Sequence, residues 1–328
     1  MSALLKFLYS QLLVSLPVPQ HDFTGQTVVI VGANIGLGLE AARHVARLKA
    51  GHLVLAVRTQ SRGETAKKDI VASTGIHPDA VSVRIVDLSS NKSVLAFTQA
   101  IHAEFKQVHA LLLNASVLPF VFETNEDGVE LGVATNVIGT FLLAVLMLPL
   151  LRASATATRA AHLSIVSSEV HAFTTLGEKR HPHIFNALNV NSADFQRFQE
   201  RYFVTKLMQV FIARELAQHV DRDHVVVNFL NPGLCHSNLT SPATGWGSFA
   251  LEAVKNLFAR STEAGSRTLV HALSAGTESH GQYLSDCKVE PPAVFVTSAE
   301  GVQVQQRLWD ELTEILENVR PGILKNIA

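Results

Sequence analysis

The sequence predicts an α/β fold built as a doubly wound parallel sheet, on three observations. Short apolar runs rich in β-branched residues alternate with longer segments of helical spacing. The runs are continuously apolar, as strands covered on both faces should be. A glycine-rich turn joins the first run to the first helical segment. Right-handed crossovers then place helices on both faces of one sheet.

Taken in order, Thr27–Val31 (TVVIV) is the first strand, and residues 37–48 carry the spacing of the first helix. Residues 53–57 form a second strand, and the polar stretch 62–72 a helix. A third strand over 81–86 is followed by a helix over 90–105. A fourth strand ends at 111–113 and leads to a long helix over 129–151. Ala161–Val166 is the fifth strand, Phe195–His219 a helix, and 225–230 the sixth strand. Residues 302–317 read as a closing amphipathic helix. Two segments fall outside the alternation, 169–200 and 233–263. Both follow strand carboxyl ends, where ligands bind in such sheets. They are predicted to form the substrate loops of a single domain over 25–328.

Of the 328 residues, 47% are hydrophobic and 17% charged, which is ample material for one core. A net charge of −1 leaves no electrostatic footprint for nucleic acid. Cys235 and Cys287 make no disulfide framework, and the 15 histidines lack metal-ligand spacing. No metal is predicted, and a cytoplasmic location is expected. Residues 1–24 form an amphipathic N-terminal segment. Its apolar stretch, 4–16, is too short to cross a bilayer, which takes about 20 residues. It is predicted to be a helix packed on the domain, with membrane-surface contact as the less favoured reading. The apolar run 141–151 lies within the alternating pattern and reads as a buried helix.

The first strand runs into Gly32-Ala33-Asn34-Ile35-Gly36-Leu37-Gly38. Such a turn lets the backbone around Asn34 and Ile35 approach a pyrophosphate at a helix N-terminus. Gly32 permits the tight turn, Gly36 removes an obstructing Cβ, and Gly38 allows close helix–strand packing. This GxxxGxG spacing resembles the short-chain dehydrogenase/reductase family. Where an acidic residue would bind a ribose 2′-hydroxyl, the second strand ends in Arg58, with Arg62 four residues on. Guanidinium groups pair with a 2′-phosphate, so the expected cofactor is NADP(H).

The resemblance implies further assignments. Asp87 matches an adenine-contacting position, and Asn114 and Ala115 match the Asn-Ala after the fourth strand, where Ser116 departs from the usual glycine. Tyr202 and Lys206 stand at i and i+4, on one helix face, and match the proton-transfer pair. The resemblance makes Tyr202 the acid–base group, with Lys206 lowering its pKa and reaching the nicotinamide ribose. Ser168, the second serine of its pair, would orient the substrate oxygen. Asn136 would hold a water linking Lys206 to solvent. Pro232 and Gly233 match the turn lying against the nicotinamide, and Ser237 a residue binding its carboxamide. The match runs from about Thr27 to Ser237 and is similar in particular to retinol-dehydrogenase-like short-chain reductases of fungal secondary metabolism.

The function expected is carbonyl or alcohol oxidoreduction on an apolar or polycyclic small molecule. A fold relative doing non-redox cyclisation or isomerisation, and a non-catalytic NADPH-binding protein, are the alternatives. The family's helices carrying Asn136 and Tyr202 leave room for a homodimer. The long spacing from Ser168 to Tyr202 implies a wall or lid over the substrate. Its histidines, His171, His181 and His183, are expected to be packing or surface residues.

Overall fold

The computed structural model describes residues 3–190, 195–236 and 258–327. Helix α1 (Ala3–Leu13) precedes β1 (Thr27–Val31), α2 (Gly36–Arg47), β2 (His52–Val57), α3 (Gln60–Thr74) and β3 (Val81–Ile85). Then follow α4 (Asn91–Glu104), β4 (Ala110–Leu113), α5 (Leu131–Arg152) and β5 (Ala161–Val166). The chain continues through α6 (Phe195–His219), β6 (Val225–Asn231), α7 (Thr262–Ala272), β7 (Tyr283–Ser285), β8 (Lys288–Glu290) and α8 (Ala299–Val319).

The eight strands form one sheet in the order β3-β2-β1-β4-β5-β6-β7-β8. All neighbours are parallel except β7 and β8. The expected doubly wound parallel sheet is therefore present. Side chains alternate across each strand. Val28 and Ile30 of β1 enter a core with Ala41, Ala42 and Val45 of α2, Ile70 of α3 and Leu269 of α7. Val29 and Val31 enter the opposite core, filled by Phe97 of α4, Phe141 of α5, Phe211 of α6 and Leu308 of α8. Burial on both faces explains why the strands read as unbroken apolar runs. The order in which strands are added reverses between β1 and β4, which opens a crevice at their carboxyl ends.

Helix α5 is long and apolar enough to cross a membrane, yet it runs through the core, with Phe141 to Val145 each at most 1% exposed. Its stretch Ala134–Gly139 is π-helical. A Cβ on Gly139 would lie 1.9 Å from the carbonyl oxygen of Leu88, so α5 meets the turn after β3 backbone to backbone.

Three elements were not anticipated. Helix α7 begins where the second irregular segment was expected to end, capped by Ser261 Oγ, which accepts from Ala264 N. Strands β7 and β8 have three residues each, too few for a period to show. Their hairpin turns at Asp286 and Cys287, with φ of 52° and 59°, conformations a sequence reader looks for at Asn-Gly or Asp-Gly.

The N-terminal helix is present, but its apolar side is only partly packed. Gln11 and Leu16 are buried, whereas Tyr9, Leu12 and Leu13 are more than half exposed. Polar contacts dock it: Arg260 donates to Ser10 O at 2.6 Å, and Arg267 donates to Leu16 O at 2.7 Å.

Candidate active site

The turn after β1 is held by side-chain and backbone contacts. Gly32 has a φ of +80°, and Asn114 Nδ2 donates to Gly32 O at 3.2 Å and to Val31 O at 3.3 Å. A Cβ on Gly38 would stand 2.2 Å from Gly32 O, so only glycine lets α2 come this close. Gly36 has a φ of +61° and open space where a Cβ would be. Ile35 precedes α2 in extended conformation and makes no side-chain cap, leaving the first-turn N–H groups of α2 without that partner. Asn34 is half-buried beside it, and the backbone of Ala115 packs under Gly32. At the end of β2, Arg58 and Arg62 are exposed, and neither makes an ion pair among the described residues. Asp87 turns its Oδ1 to the N–H and hydroxyl of Ser89, a local turn after β3.

Beyond the carboxyl ends of β4 and β5, α5 and α6 bring Asn136, Tyr202 and Lys206 together. Asn136 is fully buried. Its Nδ2 donates to Thr205 Oγ1 at 3.1 Å and to Val117 O at 2.9 Å. Its Oδ1 accepts from Ser116 Oγ and Val117 N, each at 2.9 Å. The π-helical stretch places this side chain, as such widened turns commonly do at functional sites. Lys206, one turn after Tyr202, donates to Val166 O at 2.8 Å and to Gln209 Oε1 at 3.0 Å. Its Nζ lies 5.5 Å from the centre of the Tyr202 ring. Burial pushes the Tyr202 hydroxyl well above its ordinary pKa and the Lys206 ammonium down to about 7. The ammonium was expected to keep Tyr202 acidic. Here desolvation is the larger effect, and it opposes the charged form of both groups.

Ser167 and Ser168 part ways after β5. Ser167 is buried and donates to the backbone oxygen of Lys206 at 3.0 Å, a structural tie. Ser168 is half-buried, with its Oγ accepting from Val170 N at 3.3 Å, so its hydroxyl hydrogen is not committed to that bond. Its carbonyl accepts from His171 Nδ1 at 2.7 Å, while His171 Nε2 accepts from Ala293 N at 3.0 Å. His171 is thus a buried, neutral packing histidine, its pKa lowered by burial. Asn231, at the end of β6, accepts from Glu169 N and Gly233 N, each at 3.1 Å. Pro232 and Gly233 follow, Gly233 with a φ of +79° under Arg260 and Gln11. Ser237 lies outside the described residues.

Known proteins match this chain in family and fold. A family model described as short chain dehydrogenase matches residues 26–246. A short chain dehydrogenase/reductase of Cryptosporiopsis sp. is 40% identical over 98% of this chain and 99% of its own. The chain belongs to the short-chain dehydrogenase/reductase family. It is with that an oxidoreductase acting on an alcohol or carbonyl group, and its substrates are small molecules. A short-chain dehydrogenase of Penicillium roqueforti is 41% identical over 98% of this chain and 85% of its own. Among solved structures, L-sorbose reductase of Gluconobacter frateurii, complexed with NADPH and L-sorbose, has a TM-score of 0.60 at 20% identity. That alignment covers 85% of this chain and all of the other, and it shows the shared fold.

In this short-chain dehydrogenase/reductase several residues of the site went unread in the sequence. Ser116, a departure from the family glycine, bonds directly to Asn136. Gln209 donates to Asn136 O at 2.7 Å and takes one of that carbonyl's two acceptor positions, beside the place where Asn136 was expected to hold a water. The signal was available, because 202, 206 and 209 share one helix face. The segment expected as a wall or lid is anchored to α8. Glu311 accepts from Ile184 N and Phe185 N, and Arg307 donates to Lys179 O and His181 O.

Proposed function

We propose that this chain is an NADP(H)-dependent reductase of a ketone or aldehyde, or dehydrogenase of the matching alcohol, on an apolar or polycyclic small molecule of secondary metabolism. The observation that carries the reading is the joining of Asn136, Tyr202 and Lys206 on two facing helices, with Ser168 at the adjoining strand end. A tyrosine ring with a buried lysine ammonium 5.5 Å from its centre supplies the pair of groups that proton transfer to a carbonyl oxygen needs.

The residues around the β1 turn fit a dinucleotide phosphate. Gly36, with its positive φ, turns the backbone beside open space, and the start of α2 offers uncapped N–H groups. Gly32, Asn34, Ile35, Gly36 and Gly38 would hold the pyrophosphate. Arg58 and Arg62 favour the 2′-phosphate of NADP(H), Asp87, Asn114 and Ala115 would flank the adenosine half, and Pro232, Gly233 and Ser237 the nicotinamide. Bound NADPH supplies the hydride. Tyr202 gives its proton to the carbonyl oxygen. Ser168 donates a hydrogen bond to that same oxygen and stabilises the developing charge. Lys206, as the ammonium, makes the departure of the Tyr202 proton less costly. Asn136 fixes the helix face on which this occurs. An apolar substrate is supported by Phe173, 63% exposed and edge-on to Phe203, the neighbour of Tyr202.

The test is turnover of NADPH and NADH with a panel of apolar ketones and quinones. NADPH is expected to bind tighter, and Arg58→Asp to weaken it by about 1.5–3 kcal/mol. Tyr202→Phe is expected to keep NADPH binding while turnover falls by about 10²–10⁴-fold. Product formation without NADPH consumption would replace this reading with a non-redox one.

A further inference from the structure

Lys206 is 1% exposed and spends two of its three ammonium hydrogens inside the protein, on Val166 O and Gln209 Oε1. Gln209 is equally buried. Its Nε2 donates to the backbone oxygen of Asn136 at 2.7 Å. The carboxamide therefore bridges α6 to α5 in one orientation only. Reversed, its NH₂ would face the ammonium and its oxygen would face a carbonyl.

A water at this place could rotate and pass a proton on. A carboxamide neither gives nor takes one near neutral pH. It supplies instead a fixed dipole, its negative end on the lysine. Among the described residues, Tyr202 on its own helix, Val166 and Ser167 of β5, Asn136 of α5 and Ser116, which bonds to Asn136, surround Lys206, and Glu169 and His171 stand on the turn packed against the same helix. Burial is what lowers the pKa of the ammonium. Among the described residues, the side-chain oxygen that bonds it is that of Gln209.

We propose that Gln209 is a positioning residue for Lys206: its carboxamide, anchored on Asn136 O, holds the ammonium beneath Tyr202 and keeps it protonated. The proposal rests on the catalytic reading given above, but its test is separable from that reading.

Gln209→Met keeps length and volume and removes both polar atoms. Gln209→Glu keeps an oxygen against the ammonium and charges it. The titration of Lys206 is followed by NMR of isotope-labelled lysine, its signal assigned with Lys206→Met. In Gln209→Met the titration is expected to move to lower pH, and in Gln209→Glu to higher pH, each by about one unit, a tenfold change in proton affinity. The alkaline limb of kcat for NADPH-driven reduction should move with it. Loss of packing alone lowers stability in both variants but does not displace the two titrations in opposite directions. If neither titration moves, or both move the same way, Gln209 is a packing residue and the proposal falls. If the titrations move as stated while Tyr202→Phe leaves turnover unchanged, the positioning role stands and the catalytic reading falls. Should Gln209→Glu fail to fold, Gln209→Asn, one methylene short of the bridge, takes its place and should behave as Gln209→Met.

Discussion

At the scale of single residues, the site is built from groups held against their own hydration. Burial pushes the Lys206 ammonium down to about 7, against 10.5 for an ordinary lysine. Between those values the unfolded chain binds more protons than the folded one, so stability rises with pH across that window. The slope is at most about 1.4 kcal/mol per pH unit; below 7 the cost of burying the charge is carried in full. Lys206→Met should remove this slope. Denaturant unfolding at pH 7 and pH 9 checks it: the wild type should gain on the variant at the higher pH, and parallel behaviour would contradict the burial argument. The meeting of Tyr202 and Lys206 on one helix face was legible because their i, i+4 spacing carried it. The contacts made by Ser116 and Asn231 were not, because each joins a residue on another element that only the fold brings near. No periodicity marks a residue whose partner is fixed only by the fold.

At the scale of elements, strands β1 to β6 and the helices between them were readable to within a few residues. Their burial on both faces writes itself into composition. Short or polar elements left no such trace, as with β7, β8 and α7. The π-helical stretch of α5 was also invisible, since nothing in Ala-Thr-Asn-Val-Ile-Gly distinguishes a widened turn from an ordinary one. Its closing residue, Gly139, permits the approach to Leu88 O. Gly139→Ala would force a methyl into that backbone contact. A destabilisation of about 1–3 kcal/mol is expected from overpacking, together with weaker turnover because Asn136 lies one turn away. Chemical denaturation measures the first and steady-state kinetics the second; an unchanged midpoint would show that α5 can yield.

At the scale of the whole molecule, the N-terminal helix docks on the later part of the chain. Arg260 reaches both Ser10 O and Asp286, tying α1 to the hairpin of β7 and β8. Removing residues 1–16 leaves Arg260 and Arg267 without those backbone acceptors and exposes the contact around Gly233. A fall in Tm of several degrees is expected, the scale of about 1–2 kcal/mol in a chain of this size. An equal Tm would mean that α1 rests on the fold without bracing it. One side chain within this arrangement has a wider effect. The single oxygen of Asn231 accepts from the loop after β5 and from the loop after β6 at once. That one atom therefore ties the first residues beyond two neighbouring strands, so Asn231→Ala would strip the partner from two backbone N–H groups on separate connections with a single change.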